Sequence, residues 1–221
     1  MATWIAHIRV AENILNKGYK LERIPFLIGN IGPDSGVPNE DSSSFDPPKR
    51  ITHWMDELKK FDVEGFWNKY IVKNEAKDDK ERVSFLLGYY VHLLTDMYWS
   101  KIYDEKKKLS LYKEGLEKDP NFIWTIKKDW YGLDFLYLSK NPESIFFTDF
   151  INVKTVPDYL DYFPKRAFEK QVRYISEFYL GENGETKENF IYLTEEEMDK
   201  FIVETSKEIM KILEQKIQFI L

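Results

Sequence analysis

Cysteine is absent from this 221-residue chain, which excludes disulfides, iron–sulfur clusters and thiolate zinc sites. Histidine is scarce as well: His7, His53 and His92 are the only three. Any transition-metal site must therefore draw on those imidazoles and on carboxylates. No stretch approaches the ~18 uninterrupted apolar residues that a membrane-spanning helix needs. The opening Met-Ala-Thr-Trp-Ile-Ala-His-Ile-Arg lacks the charged, apolar and cleavage regions of a signal peptide, and no Asn-x-Ser/Thr acceptor occurs. These absences predict a cytoplasmic protein. An excess of positive charge is missing too: the net charge is -6, which argues against a nucleic-acid partner.

What is present is apolar and aromatic. Hydrophobic residues make up 43% and aromatics 16%, enough for one folded domain over residues 1–221. The periodicity is helical throughout, with no alternating run of strand length and no internal repeat. Residues 3–17 predict a helix that Thr3 caps and Gly18 stops, with Trp4, Ile8, Ala11 and Leu15 on one face and His7 near its inner edge. Residues 35–50 have loop composition. Residues 56–72 predict a helix burying Leu58, Phe61, Phe66, Trp67, Tyr70 and Ile71, followed by a charged break at 73–79. The longest helix should run from about 78 to about 107, acids first and lysines last, as the helix dipole prefers. Helical patterns follow at 121–139, 143–153 and 165–180, with a polar turn at 181–188. A capping box, Thr194-Glu-Glu-Glu197, opens a last helix that continues to the C-terminus. The fold class is all-α, a single-domain multi-helix bundle.

The longest of these helices carries the most informative strip. Ser84, Gly88, His92 and Asp96 are spaced four apart and share one face, while the neighbouring positions are apolar or aromatic on nearly every side. A helix apolar all round belongs in an interior, where an unpartnered carboxylate costs several kcal/mol. A metal ion is the natural partner. Taken singly, each histidine also has an ordinary reading: His7 as an interface residue, His53 as a loop residue, His92 as a hydrogen-bonded core residue. Glycines and Pro33 impose tight geometry around Asp34. Imidazole with carboxylate suits Zn²⁺, Fe or Mn²⁺.

The order of these residues resembles the zinc-dependent phospholipase C family, which shares its helical fold and metal cluster with S1/P1-type nucleases. The likeness rests on an early helical His7, the apolar-Gly-x-x-Gly-Pro-Asp segment from Phe26 to Asp34, His53 after a polar loop, and the helical pair His92-x-x-x-Asp96. It covers roughly residues 1–100. The resemblance implies a hydrolase acting on a small phosphate ester, a phosphodiester above all. It further implies that Asp34, His53, His92 and Asp96 hold one ion, and that Asp96 bridges to a second ion shared with His7. By the same resemblance Asp34 faces the attacking water as general base.

Two departures stand out. The family completes a third site with a histidine shortly after the helical aspartate and a downstream histidine and carboxylate. Here no histidine follows His92, and Ile102 stands six residues beyond Asp96. Asp129, Asp134 and Glu143 are the nearest candidates for replacement oxygen ligands. The family also uses a processed N-terminal tryptophan, whereas Trp4 is internal. A mono- or dinuclear centre is therefore expected. The alternative is a non-catalytic helical protein that binds a metal, a ligand or a partner after losing the third site. Neither the residues nor the resemblance speaks to oligomeric state.

Overall fold

A computed structural model describes residues 1–40, 44–73, 78–181 and 189–217. It is mostly helical, 66% helix against 3% strand. Ten α-helices are placed: α1 (Trp4–Leu15), α2 (Arg23–Gly29), α3 (Lys49–Thr52), α4 (Val63–Phe66), α5 (Lys80–Lys106), α6 (Ser110–Lys118), α7 (Phe122–Lys140), α8 (Ile145–Thr148), α9 (Ala167–Leu180) and α10 (Glu195–Ile217). No helix among the described residues is long and apolar enough to cross a membrane.

Helix α5 is the axis. Every residue from Ser84 to Asp96 is buried, as its all-round apolar sequence requires. Asp79 caps its start by accepting from the Arg82 amide at 2.9 Å. Helix α2 lies directly along α5, because Gly29 and Gly88 face one another without side chains. A Cβ on Gly88 would overlap the Phe26 carbonyl oxygen and come within 3.1 Å of the Asn30 amide. A Cβ on Gly29 would overlap the Phe85 carbonyl and come within 2.9 Å of the Tyr89 amide. The spacing of Ser84, Gly88, His92 and Asp96 thus has a packing meaning. Ser84 Oγ takes the Glu22 amide at 2.8 Å, Gly88 admits the α2 backbone, and the last two enter the polar centre described below.

Helix α1 packs against α2, α5, α8 and α10. Thr3 caps it, accepting from the Ala6 amide. The reciprocal bonds of the predicted capping box are present at the start of α10: Glu197 N to Thr194 Oγ1 at 3.2 Å and Thr194 N to Glu197 Oε2 at 2.9 Å.

The helix expected over 56–72 is confined to its second half. Only α4 and a wider-wound segment Trp67–Val72 are helical. Asp56 folds the chain before it into a turn, its side chain accepting from the Lys60 amide at 2.8 Å, with Lys59 left-handed at φ 60°. Leu58 is consequently 75% exposed rather than buried. Residues 35–50 include a two-residue antiparallel ladder, Val37–Pro38 on Phe45–Asp46. The pattern at 143–153 divides into α8 and a 3₁₀ turn, Phe150–Asn152. Parts of the expected loop at 35–50, the charged break, the polar turn and the end of the last helix fall on 41–43, 74–77, 182–188 and 218–221, outside the described residues.

Asp134, on α7, lies under the start of α1 and accepts from Thr3 Oγ1 (2.7 Å) and Tyr179 Oη (2.5 Å). Burial pushes its carboxyl up to about 7, against the lowering by those two donors and by Arg9. The folded protein keeps a proton there that the unfolded chain loses near pH 4. Its contribution to stability therefore falls as pH rises from about 4 to about 7 and is flat above, a loss on the order of 4 kcal/mol. Asp134→Asn is expected to remove this slope and to be the more stable protein at about pH 8. Urea titrations of both proteins across that range check it; parallel stability–pH curves would refute it.

Candidate metal centre

Four segments deliver five side chains to one buried point. His7 sits one turn into α1, its amide bonded to the Thr3 carbonyl. Asp34 ends a 3₁₀ turn, Gly32–Asp34, which Pro33 stiffens. His53 closes α3, and His92 and Asp96 lie one turn apart on α5. His7, His53, His92 and Asp96 are each 0% exposed; the Asp34 side chain retains 9%.

The atoms that face one another are close but not hydrogen-bonded. His53 Nε2 is 3.3 Å from Asp34 Oδ1 and 3.5 Å from Asp96 Oδ2. His92 Nε2 is 3.4 Å from the same Asp96 Oδ2, and His7 Nε2 is 3.4 Å from Asp96 Oδ1. His7 Nε2, His53 Nε2, His92 Nε2 and Asp96 Oδ2 are all buried without a hydrogen-bond partner. Separations of 3.3–3.5 Å exceed a strong N–H···O bond. They suit two atoms on one cation: ligands on a tetrahedral zinc, with bonds of ~2.0–2.1 Å, stand roughly 3.3–3.4 Å apart. In two overlapping triads, His7–His92–Asp96 and Asp34–His53–His92, one donor atom from each residue lies within 4.8 Å of the other two. His92 belongs to both triads, and Asp96 faces His53 and His92 through Oδ2 and His7 through Oδ1.

The far edges of the ligands are held. His92 Nδ1 donates to the Asn30 carbonyl at 2.7 Å, and His53 Nδ1 faces the Lys49 carbonyl at 3.2 Å and Thr52 Oγ1 at 3.0 Å. In the neutral His92 ring the Asn30 carbonyl takes the Nδ1–H, so the Nε2 lone pair faces inward, the tautomer a metal needs. Asp34 Oδ2 receives the Trp4 indole N–H at 3.0 Å, and Asp96 Oδ1 receives the Ala2 amide nitrogen at 2.7 Å. His7 Nδ1 has no partner, and its ring instead stacks on that of His92, 3.8 Å apart and 2° from parallel.

The charges follow from this packing. Burial would raise the Asp96 carboxyl, but the chain's α-amino group, His7 and His92 outweigh it and hold it well below the usual range. Asp34 is likewise lowered, burial being overcome by His53, His92 and Lys49. Two stacked imidazoles resist a second proton. Burial and the His92 charge push His7 down to about 4, while both aspartates and the Asn30 carbonyl outweigh burial and raise His92.

The downstream carboxylates lie elsewhere. Asp129 takes the amides of Ile191 and Tyr192, both at 2.7 Å, and ties the approach to α10 onto α7. Asp134 is held by Thr3 and Tyr179, and Glu143 is exposed. None joins the five.

No protein-family model, curated protein or solved structure matches this chain. The centre is therefore read from its own geometry. Sequence reasoning named all five converging side chains but missed what orients them. Trp4, three positions before His7, was legible as its helical neighbour. Asn30 and Lys49 act through main-chain carbonyls, which leave no mark in sequence.

Proposed function

We propose that this chain is a metal-dependent hydrolase of phosphate esters, phosphodiesters above all, working from a mono- or dinuclear His/Asp centre. The scaffold we propose is that of the zinc-dependent phospholipase C and S1/P1-type nuclease group, which the order of these residues resembles. One observation carries this reading: the unbonded Nε2 atoms of His53 and His92 stand 3.5 and 3.4 Å from the unbonded Asp96 Oδ2, and that of His7 stands 3.4 Å from Asp96 Oδ1. Nitrogen and oxygen donors without thiolate, at tetrahedral edge lengths, favour zinc over the larger, oxygen-seeking divalent ions. Without a cation, five ionisable side chains would share one buried volume with unfilled lone pairs, an arrangement costing several kcal/mol.

Asp34, His53, His92 and Asp96 would hold the first ion, with Asp96 and His7 serving a second. A divalent ion there would supply Lewis acidity towards a phosphoryl oxygen and would ease the deprotonation of water. Asp34 is the one member of the five that keeps contact with solvent. Its Oδ1 faces His53 at 3.3 Å and its Oδ2 accepts from the Trp4 indole; by the family resemblance this carboxylate would be the general base towards the attacking water.

The test is metal content followed by turnover. Protein purified without chelator is expected to carry at least one zinc per chain, and His92→Ala to lose it. Zinc-loaded protein should hydrolyse bis(p-nitrophenyl) phosphate, and Asp34→Ala should be slower by at least ~100-fold. Tight zinc binding with no turnover on any diester or monoester would instead favour the non-catalytic metal-binding protein. A chain that takes up no divalent ion would end both readings.

A further inference from the structure

Tyr89 is fully buried on α5, one turn before His92, and meets two of the other segments that deliver the five side chains. Its ring lies against Gly32, the first residue of the 3₁₀ turn that ends at Asp34. A Cβ on Gly32 would come within 2.8 Å of Tyr89 Cδ2 and 3.2 Å of Cε2, so only a residue without a side chain lets the turn sit there. The Tyr89 hydroxyl donates to the Thr52 carbonyl at 2.5 Å and accepts from the Tyr162 hydroxyl at 3.1 Å. Thr52 is the residue before His53, and its own Oγ1 lies 3.0 Å from His53 Nδ1.

The Thr52 carbonyl needs that donor. A helix leaves its last carbonyls without partners inside the helix, and α3 is only four residues long. The amides three and four positions on are turned elsewhere, Met55 to the Arg50 carbonyl and Asp56 to the Lys60 carbonyl, each at 2.9 Å. Tyr89 Oη takes their place. On the other side of His53, Trp54 is left-handed at φ 51°, a conformation that a bulky residue keeps only where packing holds it. Its ring stands nearly perpendicular to those of Phe66 and Tyr70. Phe66 in turn stacks on Tyr89, 4.7 Å between centroids and 8° from parallel. Both neighbours of His53 are thus tied to Tyr89, Thr52 through the hydroxyl and Trp54 through Phe66.

We propose that Tyr89 is a positioning residue of the metal centre, fixing His53 and Asp34 relative to His92 and Asp96 through its contacts with Thr52, Phe66 and Gly32. This inference rests on the metal-centre reading above and adds the side chain that sets the spacing of its ligands. Loss of the hydroxyl leaves a buried carbonyl unpaired and frees the end of α3, while the ring still supports the Asp34 turn.

The readouts are zinc affinity, by competition against a chelator, and the visible absorption of the cobalt(II)-loaded full chain, whose band position and intensity report the number and arrangement of ligands. Tyr89→Phe keeps the ring and removes the bond to Thr52. It is expected to weaken zinc binding by about 10- to 100-fold and to alter the cobalt band. Tyr112→Phe is the matched control, removing a tyrosine-to-carbonyl bond of the same kind between α6 and Tyr192. Both variants should melt below the parent, but Tyr112→Phe should keep the parent's cobalt band and its zinc affinity within about threefold. Gly32→Ala, which presses on the same ring from the Asp34 side, should alter the band as well and carries the test if Tyr89→Phe does not fold. A folded Tyr89→Phe or Gly32→Ala with an unchanged band and zinc affinity within about threefold of the parent overturns this inference and leaves the metal centre standing. Equal losses of zinc affinity in Tyr89→Phe and Tyr112→Phe overturn it too. A parent that takes up neither zinc nor cobalt overturns both readings, and the parent's metal stoichiometry alone reports that outcome.

Discussion

Gly88→Ala is expected to destabilise the protein by on the order of 4 kcal/mol or more, lowering its melting temperature by about 10 °C. The added methyl group would occupy the position of the Phe26 carbonyl oxygen and press on the Asn30 amide, both main-chain atoms of or adjoining α2. No rotamer relieves such an overlap, so α2 and α5 must part. Parting them opens the core between Leu27, Ile28, Phe85 and Tyr89, all essentially unexposed. It also moves the Asn30 carbonyl, the acceptor that orients His92. Stability and zinc affinity should therefore fall together, a pairing that damage confined to the core would not produce. Thermal unfolding by circular dichroism, with and without zinc, reads both. A variant melting within a couple of degrees of the parent would mean that the helices are not in backbone contact at Gly88.

The second large effect is expected at Asp96. Its two oxygens face all three imidazoles and receive the Ala2 nitrogen, and it has no exposure. Asp96→Asn preserves shape and removes charge. Removing one partner from a buried charge pair costs about 3–5 kcal/mol, so zinc affinity should drop roughly 100- to 1,000-fold or more. Competition against a chromophoric chelator measures it. In the metal-free variant His92 also loses the carboxylate that most favours its protonated form, so its pKa must fall relative to the parent. The imidazole shifts in an NMR titration give that direction independently of any metal. Zinc affinity preserved within tenfold would remove Asp96 from the ligand set.

Much of this organisation was legible in the sequence, and what was not has physical reasons. Helix α5 announced itself because burial on every side leaves an unbroken apolar pattern, and a histidine and aspartate inside such a pattern need partners. Thr3 and the Thr194–Glu197 box were legible because capping is local chemistry within four residues. The first part of the helix expected over 56–72 failed at Asp56 and Lys59, where a side-chain-to-backbone bond and a left-handed residue overrode a hydrophobic spacing that also suited a helix. Gly88 was visible as a member of the strip, but its role needed Gly29, fifty-nine positions away, on the other side of the contact.

The five ligands are unevenly placed along the chain. All lie within the first 96 residues, whereas α7, α9 and α10, which cover α1 and Trp4, belong to the later half. The five converging side chains are thus supplied by residues 7–96, and the helices that cover them come later in the chain.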